Sequence, residues 1–170
     1  MSKNLRVKSS KFIDETYRIS FKFNGSKYYG YKGDTQASAL LANDIHLVGR
    51  SFKYHRPRGI FSSGVEESGA LVTVGLKDRR APNVRATTQE LYDGLKASGQ
   101  NAFPNVNFDL AGINNYLGRF FASGFYYKTF MGIPPFEWGK GTAIWMFFEK
   151  FIRKAAGMGS ASTLPDPDSY

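Results

Sequence analysis

Apolar and polar residues alternate along Tyr17-Arg-Ile-Ser-Phe-Lys-Phe23, which is the signature of a strand with one face buried. Asn24-Gly25 follows, a pair suited to a two-residue hairpin turn, and Lys27-Tyr-Tyr-Gly-Tyr31 supplies the return strand. The period then changes. Asp34 stands at a helix N-cap position, where its carboxylate can accept hydrogen bonds from the first turn. Ala37, Leu40, Leu41 and Ile45 follow at helical spacing, and the helix should close near Asn43. His46-Leu-Val48 reads as a short strand, residues 49–70 as a long loop and Ala70–Val74 as a strand. Lys77–Arg80 reads as a solvated charged turn and Asn83–Thr88 as another strand. Asp93-Gly94 predicts a second hairpin, joining Glu90–Tyr92 to Leu95–Ala97.

The texture changes after residue 100. Leu110–Phe121 reads as a helix, Gly124–Met131 as an aromatic run, and Gly132-Ile-Pro-Pro135 as a break. Thr142–Ala156 is a second helix, with Ile144, Phe147, Phe148, Phe151, Ile152 and Ala155 on its apolar face and Gly157 as its C-cap. The organisation expected is a flexible arm over 1–16, a folded domain over 17–100, a helical and aromatic extension over 101–159, and a Pro-rich linker over 160–170.

Hairpin, helix, long loop and further strands in this order predict an α+β fold, a β-grasp domain of [2Fe–2S] ferredoxin type. The loop tests that idea. A plant-type cluster needs Cys at C-x4-C-x2-C, with a fourth Cys further on. Threaded between Phe61 and Val72, the ligand positions fall on Ser62, Glu67 and Ala70, with Thr87 as the fourth. None is Cys, and the chain contains no Cys at all. The fold is therefore expected to be cluster-free, kept for shape and docking, with no metal.

Composition narrows the picture further. Without Cys there are no disulfides and no thiolate metal sites, and two His are too few for a His-based one. No stretch approaches the roughly 18 apolar residues of a membrane span, and the first residues lack a signal-peptide core. A cytoplasmic protein with no membrane contact is expected. The net charge of +9 raises nucleic acid, anionic cofactors or an acidic protein as partners.

Four stretches carry a family resemblance: Asp34–Asn43, Val48–Phe61, Pro82–Leu95 and Gly124–Met131. Together they resemble the N-terminal domain of the α subunit of heterotetrameric sarcosine oxidase, over nearly the whole chain. The resemblance implies an enzyme that oxidatively demethylates sarcosine to glycine and passes the one-carbon unit to tetrahydrofolate. It implies FAD, FMN and NAD in the complete enzyme, with none bound by this piece. The implied partners are the remaining α-subunit domains and the β, γ and δ subunits, and nucleic acid drops out. The chain has no G-x-G-x-x-G, so the dinucleotide cradle lies elsewhere and residues 160–170 read as a linker toward it. The chain thus reads as an N-terminal piece, either cut from a longer subunit or a separate one. No catalytic residue is expected on it.

The basic loop Arg50-Ser-Phe-Lys-Tyr-His-Arg-Pro-Arg58 is the candidate contact site. Arg50, Lys53, His55, Arg56 and Arg58 are read as partner or anion contacts, with direct flavin or NAD contact and a merely solvated loop as alternatives. Among these cations His55 is read as a hydrogen-bonding or stacking residue rather than a base. Glu66-Glu67 is read as structural or capping, because neighbours on extended chain point apart. The aromatic run 124–131 is assigned a role shared between core and docking.

Overall fold

The opening alternation forms β1 (Asp14–Phe23), which buries Ile19, Phe21 and Phe23 on one face. The computed structural model describes residues 5–6, 11–76, 79–120 and 141–156. β1 pairs antiparallel with β2 (Ser26–Lys32), Phe23 facing Ser26. The two turn residues between them, Asn24 and Gly25, have φ of 50° and 85°, both in the region a type I′ turn requires.

The remaining elements are α1 (Gln36–Ala42), the two-residue strands β3 (Gly49–Arg50) and β4 (Pro57–Arg58), β5 (Leu71–Val74), β6 (Ala81–Arg85) and β7 (Lys96–Gly99). The main sheet has strand order β2-β1-β7-β5-β6. β1 and β7 run parallel, with Lys22 N–H donating to the Leu95 carbonyl, and the other pairings are antiparallel. β3 and β4 form a separate small ladder. One cluster unites Ile19, Phe21 and Phe23 of β1 with Ala37, Ala39 and Leu40 of α1 and Val72 and Val74 of β5. A mixed sheet gripping one helix in this way is the expected α+β β-grasp fold.

The structure corrects several local readings. α1 is capped by Thr35, not Asp34: Thr35 and Ser38 exchange the reciprocal bonds of a capping box. Asp34 sits one residue outside, buried, taking a bidentate ion pair from Arg6 (3.0 and 2.6 Å) and the N–H of Tyr31. Of the residues expected to form an arm, Arg6 is thus paired to Asp34, and Asp14–Thr16 already belong to β1. Residues 45–48 form no strand, because Asp44 turns the chain at φ 62° after the helix.

Asp93-Gly94 does not close a hairpin. The strand after it joins β1 and β5 instead, while Glu90 only bridges Thr35. Residues 110–120 form two 3₁₀ turns, Leu110–Asn115 and Leu117–Phe120, rather than an α-helix. Gly112, Asn114, Asn115 and Gly118 are poor helix residues, which favours these short turns.

The chain divides into two compact units, Met1–Gly118 and Arg119–Tyr170, so residues 101–118 belong with the sheet. In the second unit α2 (Gly141–Ala155) matches the predicted helix, with Arg153 paired to Glu149 one turn earlier. Phe147 and Phe151 stack edge-on, 5.5 Å between centroids, yet remain about 60% exposed. Lys77 and Asp78, the aromatic run 124–131, the Pro-Pro break, Gly157 and the linker lie outside the described residues.

Candidate functional site

The loop between β4 and β5 is organised by one side chain. Glu67 is 1% exposed although it is a carboxylate on a surface loop. Its Oε2 accepts the backbone N–H groups of Phe61 and Ser62, both at 2.7 Å, and the Ser62 hydroxyl at 3.4 Å. Its Oε1 accepts the N–H groups of Gly69 and Ala70. Burial alone would push the carboxyl up, but the N–H groups of Ser62, Gly69, Ala70 and Phe61 outweigh it and bring the pKa to about 2. Among the described residues no Lys, Arg or His forms an ion pair with it, so backbone dipoles hold the charge.

The fourth threaded position, Thr87, donates its hydroxyl to the Gly64 carbonyl at 2.7 Å and ties the loop to the segment after β6. Arg85 Nε donates to the Glu67 carbonyl from the same side. Gly69 is needed here, since a Cβ would lie 2.6 Å from the Gly59 carbonyl oxygen. Outside this frame Phe61 and Val65 are 88% and 72% exposed. Glu66, next to the buried Glu67, is exposed and folds its carboxylate back onto the Gly64 N–H.

The basic loop is partly consumed inside the fold. The side chain of Asp109, itself buried, accepts His55 Nδ1 at 2.8 Å and lies 3.6 Å from Arg50 Nε. Its other oxygen accepts the N–H groups of Phe103 and Ala111. Burial raises the Asp109 carboxyl, but the Phe103 N–H, His55 and the Ala111 N–H outweigh it and hold the pKa below the usual carboxylate range. Arg50 also donates to the carbonyls of Val106 and His55, and Arg56 to Asn115 Oδ1. Lys53 and Arg56 both lie over the Tyr54 ring, at 5.0 and 4.7 Å. Arg56 and Arg58 are the exposed members of the predicted set, while Arg50, Lys53 and His55 are half-buried. Asp109 is the residue sequence reasoning missed, because it lies 54 positions from the histidine it binds.

An open groove of about 520 Å³ runs between the β1–β2 turn and residues 44–47 and 105–107, but no residue of the 60–70 loop lines it. The candidate site is therefore the loop around Glu67 and the basic loop that precedes it.

Residues 16–102, half of the chain, match the family model described as a 2Fe-2S iron-sulfur cluster binding domain. The chain belongs to that family. Among curated proteins it is 51% identical over 165 residues, 97% of this chain, to "Sarcosine oxidase subunit alpha" of Rhizobium meliloti (strain 1021). It is 42% identical over 89 residues to the protein of the same name from Corynebacterium sp. (strain U-96). The chain spans only 16% and 9% of the lengths of those relatives. Among solved structures, L-proline dehydrogenase from P. horikoshii is 26% identical over 52% of this chain and 16% of its own, with a TM-score of 0.41.

The family's cluster does not fit this member. The positions that the C-x4-C-x2-C spacing threads onto the ligands carry Ser62, Glu67, Ala70 and Thr87, and the carboxylate of Glu67 is already committed to the surrounding N–H groups. Ala70 offers no donor atom, and no Cys exists elsewhere in the sequence. Among the described residues no group of three His, Cys, Asp or Glu side chains could hold a metal ion, and no helix is long and apolar enough to cross a membrane.

Proposed function

We propose that this chain is the N-terminal, non-catalytic domain of the α subunit of a sarcosine oxidase, in which it braces and docks other parts of the enzyme. The observation that carries this is the 51% identity, across nearly the whole chain, to a protein named as that subunit. A cluster loop without cluster ligands fits the same reading, since such a domain can present a shape but cannot pass electrons through iron. The complete enzyme is read as cytoplasmic, with oxygen as acceptor and with FAD, FMN and NAD held outside this piece. The β, γ and δ subunits and the rest of the α subunit are its partners, and the one-carbon unit passes to tetrahydrofolate.

Contact is assigned to the exposed Arg56 and Arg58 and to the exposed apolar tips Phe61 and Val65, which follow them closely in the chain. The test is sarcosine-dependent turnover of the complete complex, of a complex lacking residues 1–118, and of this chain alone. Loss of assembly in the deletion and no turnover by the chain alone are expected. Turnover by the chain alone, or a deletion that changes nothing, would overturn the reading. Because Arg56 and Arg58 are exposed cations, a flavin or NAD contact is the second reading. Arg58→Glu in the complete enzyme separates the two: lost assembly marks docking, and lost cofactor with assembly intact marks a cofactor contact.

A further inference from the structure

We propose that the Glu67 carboxylate takes the structural place of the [2Fe–2S] cluster: it is the resident anion around which residues 59–72 fold, and it makes that fold independent of iron. The argument starts from what a cluster does to its loop besides moving electrons. Its sulfurs are anionic acceptors toward which backbone N–H groups turn. A loop that kept this shape but lost the cluster would leave those donors facing each other, unpaired and costly to bury.

Here the donors have an acceptor. Two of the threaded ligand positions, Ser62 and Ala70, point their N–H groups at a carboxylate that springs from a third, Glu67. The remaining position, Thr87, still anchors the loop, through the Gly64 carbonyl. The side chain is aligned by an unusual number of backbone donors, those of Phe61, Ser62, Gly69 and Ala70, and each oxygen takes two of them. With no cationic side chain paired to it among the described residues, the carboxylate is held as a bound anion in a backbone nest would be. The bound anion is covalently part of the chain, so it is present as soon as the loop is made.

The inference concerns the loop and stands apart from the choice of substrate. It is tested by amide hydrogen exchange, read by mass spectrometry, on the complete polypeptide that carries this chain. Peptides covering residues 59–72 are compared with peptides of β1 and β7. Glu67→Gln replaces one oxygen with an N–H₂ group, which would face two N–H donors. It should raise exchange in the 59–72 peptides about tenfold or more while leaving β1 and β7 unchanged. Glu67→Gln exchange equal to the unsubstituted protein would overturn the proposal. If the Gln variant does not fold, the unsubstituted protein still decides the matter. Grown with iron or under iron limitation, it should show the same protection over 59–72, and protection that falls under iron limitation would overturn the proposal.

Discussion

Two buried carboxylates set the behaviour of this domain at the scale of single residues. Glu67 has a folded pKa of about 2 against an ordinary 4.5. A pKa lowered by folding stabilises the folded state above the unfolded value and stops doing so as pH falls through the folded one. The contribution of Glu67, roughly 3 kcal/mol at most, is therefore whole above about pH 5 and is lost between there and about pH 2. Denaturant melts across that window should show a steep loss for the unsubstituted protein and a flatter one for Glu67→Gln. Asp109 has the same sign, its pKa also being held low. Asp109→Ala strands the buried side of His55 and Arg50 and frees two backbone N–H groups, those of Phe103 and Ala111. It should cost about 2–4 kcal/mol, measured by denaturant unfolding, and increase exchange over residues 101–118 before the sheet.

At the scale of elements, what the sequence made legible was local and what it hid was not. The β1–β2 hairpin was readable because Asn24-Gly25 encodes its own turn and Ile19, Phe21 and Phe23 encode its buried face. α1 was readable from Ala37 and Leu40, but its cap was misplaced by one residue. Asp34 and Thr35 are both good N-caps, and the Asp34 carboxylate is occupied by Arg6, the Tyr31 N–H and the Ser38 hydroxyl, which leaves the cap to Thr35. Thr35→Ala should therefore cost about 1 kcal/mol in denaturant unfolding, the ordinary worth of such a cap. The Asp93-Gly94 signal failed because a turn dipeptide reports a reversal and not which strand will be paired next. After Lys96 this strand carries only the small residues Ala97, Ser98 and Gly99, and it owes its place to β1 and β5. At the site, an acid at a threaded ligand position with Gly64 and Gly69 beside it was visible in the sequence. Its inward aim was not, since that depends on four N–H groups contributed from both ends of the loop.

For the whole molecule, the family and the side chains pull apart: the chain has the cluster-binding fold and none of the cluster's ligands. Anaerobic treatment of the purified chain with iron and sulfide should leave no cluster-type visible absorbance after desalting, whereas a stable visible band would contradict the donor set described above. The sheet order carries one more consequence. β1, near the start of the domain, and β7, near residue 100, are hydrogen-bonded neighbours in the middle of the sheet. Such distant pairing makes folding slow compared with folds built from local contacts. During synthesis the buried phenylalanines of β1 lack the cover of the strand beside them until β7 has left the ribosome. Chaperone capture of nascent chains should therefore concentrate on the interval before residue 99 emerges, and a ribosome-stalled chain ending short of β7 should be far more sensitive to protease than one extending well past it.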